Sequence, residues 1–162
     1  IIDGIRGRCK PGFLLGIRLS AERFDLELGE IIEVAQWLMS DGNIDFLDMS
    51  LWDSFKEPVE EAFRGRTLMS YFTALDRGEV RLGVAGKIQT PDDANKCLED
   101  GAEFILLGRA AILHHDFPLQ VIANPDFKPV QTPVSPEYLH SQGLSEAFVT
   151  YMSRWSGFVE GL

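Results

Sequence analysis

The chain has only two cysteines in 162 residues, Cys9 and Cys97, and no spacing pairs them. That excludes a disulfide framework or a thiolate metal site as its organising feature, and a reduced, cytoplasmic setting is the expectation. Positive charge is also short: 15 Lys and Arg stand against 25 Asp and Glu, a net charge of −10. Such a chain is a poor partner for nucleic acid or an anionic membrane surface. Apolar runs long enough to span a membrane are missing, and nothing at the amino terminus reads as a signal peptide. An initiator Met is missing too, and Ile1–Arg8 reads as the end of a helix cut from something longer. The three histidines come late, and adjacent His114 and His115 point in different directions with no third ligand at useful spacing. No metal site is expected from them. Asp41, Asp45, Asp48 and Asp53 lack a calcium-loop pattern, and no Ser-His-Asp or Cys-His arrangement is legible.

What the chain does have is a core. Apolar residues make up 45% of it, including eleven Phe and three Trp, which argues for a folded globule. Four strand-length apolar runs occur at Phe13–Leu19, Ile44–Met49, Val80–Ala85 and Glu103–Leu107. They are not strictly alternating, which suits strands buried on both faces of a parallel sheet. Helical spacing appears in Glu30–Met39 and Thr67–Arg77. A third helix is framed by Thr90 as N-cap, Pro91 at its first position, Asp92 and Asp93 in its first turn and Gly101 at its end. Strands and helices therefore alternate, the pattern of an α/β protein with a parallel sheet. A full (β/α)₈ barrel takes about 250 residues, so four units fit either half a barrel or a small doubly wound sheet. Five prolines from Pro118 to Pro136 predict an irregular extended stretch. A final amphipathic helix is predicted from Ser145 to Val159. Its apolar face would dock on the domain's own helices, with a subunit contact as the alternative.

Two strand ends stand out. Leu82-Gly83-Val84-Ala85-Gly86-Lys87 and Phe104-Ile105-Leu106-Leu107-Gly108-Arg109 each run from an apolar strand into glycine and a cation, about one βα unit apart. Backbone N–H groups and positive charge converging on one point suit a phosphate. A third cation, Arg18, lies inside the apolar strand Gly16-Ile17-Arg18-Leu19-Ser20 and needs an anionic or polar partner. Asp45 or Asp48 would serve, as would a ligand. Trp52 and Phe55, in the loop after the second strand, are candidates to cover a ligand or merely to shield the loop.

The Leu15–Ser20 strand, the Gly86-Lys87-Ile88-Gln89-Thr90 turn and the Gly101–Phe104 lead into Gly108-Arg109-Ala110 resemble, in order and spacing, the Old Yellow Enzyme family. Asp116-Phe117-Pro118 is similar as well, so the resemblance covers about residues 10 to 120. These are FMN-dependent NAD(P)H:flavin oxidoreductases and ene-reductases. The resemblance implies a TIM-barrel-type fold of which this chain is the second half, four βα units, plus a C-terminal helix. It implies a half-barrel at 1–123, a Pro-rich extended segment at 124–144 and the terminal helix at 145–162. It implies FMN as cofactor and NAD(P)H as reductant. Arg18 would lie at the pyrimidine edge of the flavin, and Ala85, Gly86, Lys87, Gly108 and Arg109 would surround the phosphate. Asp48 and Ser50 would border the substrate side.

Two departures accompany it. The family's substrate-carbonyl ligands and proton-donating Tyr come from the first half of the barrel, so no catalytic residue is assigned in this chain. The family often has Gly or Asn where Lys87 stands. A small-molecule substrate is expected, and open sheet edges favour a homo-oligomer or association with a missing N-terminal half. The alternatives are a half-barrel that binds without catalysing, or another phosphate-binding barrel enzyme such as an isomerase or synthase.

Overall fold

The computed structural model describes residues 1–161. The order of elements is α1 (Ile2–Arg6), β1 (Gly16–Ser20), α2 (Leu28–Asp41), β2 (Phe46–Ser50), α3 (Leu68–Thr73), β3 (Arg81–Ala85), α4 (Pro91–Glu99) and β4 (Phe104–Ile105), followed by α5 (Arg109–Leu113), α6 (Phe117–Ala123), α7 (Pro136–Ser141) and α8 (Glu146–Met152). The residues group into two compact units, 1–88 with 94–106, and 89–93 with 107–161.

The first unit is built on one parallel sheet of four strands in the order β1-β2-β3-β4. Each crossover steps one strand in the same direction. A doubly wound sheet reverses direction, so this order is that of a (β/α) barrel wall. The two faces of the sheet differ in chemistry. Leu47, Met49, Leu82 and Val84 lie on one face and are wholly buried, as are Leu28 and Ala35 of α2 and Leu68, Met69 and Phe72 of α3. Alternate residues face the other way. There the register aligns Arg18 with Asp48 and Gly83, and Ser20 with Ser50 and Ala85.

Two glycines on this second face are explained by packing. A Cβ on Gly16 would lie 2.1 Å from the ring of Phe46, and one on Gly83 would lie 2.1 Å from the ring of Phe104. Each ring lies across the glycine of the strand beside it, and the two rings meet edge to face at 5.9 Å between centroids.

The second unit has its own core. Leu113, Val134, Leu139, Val149, Met152 and Phe158 are buried together. The helix predicted over Ser145–Val159 is corrected here: α8 ends at Met152. Phe158 and Glu160 instead pair with Val134 through backbone hydrogen bonds, in an isolated parallel bridge. The stretch predicted to be irregular contains α7, which begins at Pro136 and is capped by Ser135, whose Oγ accepts the Tyr138 N–H at 3.2 Å. Among the described residues no helix is long and apolar enough to cross a membrane.

Candidate functional site

Arg18 sits on β1 next to its partner on β2. Its Nε is 3.4 Å from Asp48 Oδ2, and its Nη2 donates to Ser50 Oγ at 3.1 Å. Of the two acids considered from the sequence, Asp48 is therefore the partner. Asp45 is held instead by Arg6 at 2.7 Å and by the Leu15 N–H. Asp48 is 5% exposed, and its Oδ1 has no hydrogen-bond partner among the described residues. Burial raises its carboxyl pKa above the ordinary value, and the Arg18 charge offsets only part of that rise. The Arg18 side chain is more than half exposed, and its Nη1 makes no hydrogen bond or ion pair among the described residues.

Ala85, Gly86 and Lys87 form the end of β3 and the turn beyond it. Ala85 O accepts the Leu51 N–H at 2.8 Å, and Gly86 O accepts the Ser54 N–H at 3.2 Å. A Cβ on Gly86 would meet the Asp53 nitrogen at 2.8 Å, so glycine is required by the close approach of the 51–54 loop. Lys87 Nζ is 2.8 Å from Asp53 Oδ2. Burial pushes the Asp53 pKa up, but hydrogen bonds from Lys87 and the Phe55 N–H outweigh it and hold the carboxylate below its usual value. The Lys87 ammonium thus ties two loops together and is already neutralised.

Gly108 and Arg109 belong to the second unit. Gly108 is exposed, with open space where a Cβ would stand. Arg109 heads α5 and, with Gln89, Thr90, Pro129, Gln131 and Thr132, lines a cavity of about 140 Å³. Its guanidinium makes no hydrogen bond or ion pair among the described residues, which leaves it the free cation of that cavity. The neighbouring backbone donors are engaged. Asp93 Oδ2 accepts the N–H groups of Gln89 and Thr90 at 3.0 and 2.9 Å, while Thr90 Oγ1 accepts the Asp93 N–H at 3.1 Å. This is a reciprocal capping box at the start of α4. Its signature, Thr90-Pro91-Asp92-Asp93, is present in the sequence, but the carboxylate occupies donors that a phosphate would use.

In the first unit Arg18 fits a hydrogen-bond acceptor and Lys87 offers no free charge; in the second unit Arg109 fits an anionic group. His114 has a structural role: its Nε2 accepts the Val130 N–H at 2.9 Å, and its ring packs edge to face on Phe127. Among the described residues, no group of three or more His, Cys, Asp or Glu is placed to hold a metal ion.

No family model matches the chain, and no curated protein matches it. Among solved structures it is similar to the crystal structure of DHODH from Eimeria tenella in complex with ferulenol, with 20% identity and a TM-score of 0.43. The match covers 61% of this chain and 29% of that one, so the chain spans under a third of that protein's length. A likeness of that degree leaves the chemistry to the chain's own residues.

Proposed function

We propose that the chain is the FMN-binding portion of an oxidoreductase of the Old Yellow Enzyme type, with NAD(P)H as reductant and an activated alkene or similar acceptor as substrate. The observation that carries this reading is the Arg18 guanidinium, held by Asp48 and Ser50 at the carboxyl half of a barrel-type sheet with one nitrogen left to bond a ligand. The Gly86-Lys87 and Gly108-Arg109 strand ends, in the family's order, support it. When bound, FMN would supply hydride transfer between the nicotinamide and the acceptor. Arg18 would stabilise negative charge at the pyrimidine edge, and Asp48 and Ser50 would fix its orientation. Arg109 would supply the positive charge for the phosphate, with Gly108 giving unobstructed backbone approach. Ala85, Gly86 and Lys87 would contribute backbone alone, since the Lys87 ammonium is engaged by Asp53.

The test is reconstitution of the full chain with FMN, followed by gel filtration and a visible spectrum of the protein peak. Retained flavin is the expected result, and Arg109→Ala is expected to weaken its binding by about tenfold or more. A colourless peak, or unchanged affinity in the variant, would sink the assignment. Bleaching of bound flavin by NAD(P)H and turnover of an enone would separate an enzyme from a half-barrel that only binds.

A further inference from the structure

The loops after β1 and β2 carry a feature that the flavin reading does not use. Trp52 is a large apolar side chain left 62% exposed, and the Arg23 guanidinium carbon lies 3.8 Å from the centre of its ring. Phe24, next to Arg23, is 82% exposed. Loops at the carboxyl ends of parallel strands are where ligands bind in barrel-type folds. We propose that the Arg23–Trp52 stack forms a binding site for a planar aromatic anion, which lies on the exposed outer face of the guanidinium with the indole behind it.

Three observations carry this beyond an incidental surface aromatic. The pair is built on anchored backbone. The Trp52 loop is bonded to the β3 end through Leu51, Ser54 and the Lys87–Asp53 ion pair. The Arg23 loop is anchored beside it by Glu22, whose buried carboxylate binds Lys56 Nζ at 2.5 Å and the Val59 N–H at 2.7 Å. Charge is the second observation. Glu22 and Asp53, the acids next in sequence to the pair, are each neutralised by a lysine, while Arg23 has no ion pair among the described residues. In a chain of net charge −10, Arg23 is a cation laid on an aromatic face, and Asp25 is the acid of its loop that forms no ion pair among the described residues. The third is conformation. Phe24, Asp25 and Trp52 hold φ of 63°, 59° and 64°, a left-handed region that non-glycine residues rarely occupy and that concentrates at ligand sites. A ring laid on the exposed guanidinium gains stacking, and a carboxylate or phosphate on that ring gains the attraction of the Arg23 charge.

The site does not depend on flavin, so it is tested on the isotope-labelled, FMN-free chain with naphthoate and its neutral counterpart, naphthalenemethanol. Each of the three Trp contributes one indole N–H signal, and loss of a signal in Trp52→Phe assigns the one of interest. Naphthoate is expected to shift the Trp52 signal saturably and to leave Trp37 and Trp155 in place. The neutral probe is expected to bind about tenfold more weakly. Arg23→Gln is expected to bring naphthoate down to that level, and Trp52→Leu to abolish binding, with the Trp37 and Trp155 signals reporting that the fold is intact. Equal shifts at all three indoles, or naphthoate affinity unchanged in Arg23→Gln, would overturn the site. Either result would leave the flavin reading standing, and a colourless reconstituted protein would leave this one standing. If Trp52→Leu perturbs the fold, the Arg23→Gln comparison decides.

Discussion

At Gly83 an added methyl would lie 2.1 Å from a ring carbon of Phe104, whereas at Gly86 it would lie 2.8 Å from the backbone nitrogen of Asp53. The obstacle is a side chain in the first case and main chain in the second. Gly83→Ala is expected to destabilise by about 1–3 kcal/mol, and a second change, Phe104→Leu, to recover part of that loss. Gly86→Ala is expected to cost a similar amount with no such rescue, because the 51–54 backbone has nowhere to move. Chemical denaturation of the single and double variants checks both outcomes. His114 gives a pH prediction. Burial pushes its pKa below the ordinary 6.5, so the unfolded chain takes up the proton first as pH falls. The stability it confers is intact above about pH 7 and declines as pH falls through the unfolded value toward the folded one. Thermal melts across about pH 7 to pH 5 should show the decline in the native chain and a flatter profile in His114→Phe. Equal pH dependence in both proteins would contradict it.

Among the elements, α4 is the one whose ends are best specified. Thr90 and Asp93 satisfy three N–H groups between them, and Thr90→Ala is expected to destabilise the chain by about 1 kcal/mol. No change in the denaturation midpoint would show that another group caps the helix. The strands are legible as short, mainly apolar runs, although each pairs over a shorter span than the run. The expected burial on both faces is corrected: only one face is wholly buried, and β1 has no fully buried residue. The division of the sheet into an aliphatic and a polar face was less legible. Arg18 and Asp48 lie 30 residues apart, and only the register of β1 on β2 places them side by side. The C-terminal helix was misread for a definable reason. The apolar spacing of 145–159 continues past Met152, but the chain runs through turns from Ser153 and Val159 bridges to Val134 instead of extending the helix. In the sequence Pro136 is one of five helix-breaking prolines, yet at the first position of α7, behind the Ser135 cap, it is an initiator. Of the six proposed cofactor residues, the sequence pointed to their positions. The Thr90–Asp93 spacing marks the capped start of α4, whereas nothing in the sequence pairs Asp53 with Lys87, 34 residues away.

On the scale of the whole molecule, the sheet has two edges, β1 and β4. The five residues of β1 pair with β2 on one side and with no strand on the other among the described residues. Unpaired parallel edges invite association. Sedimentation velocity on the purified chain is expected to show dimers or larger species whose population rises with concentration. A monomer over a wide concentration range would count against that expectation. The Phe46 and Phe104 rings have a directional consequence for whatever the polar face receives. They lie over Gly16 and Gly83, so the surface there is paved with aromatic carbon, while hydrogen-bonding groups stand at Arg18, Asp48, Ser20 and Ser50 and, beside Phe46 at the strand starts, at Arg81. The rings act as a floor. A guest on this face can descend from the carboxyl ends only until it touches the rings, and the depth of its seat is fixed before any polar group selects its chemistry.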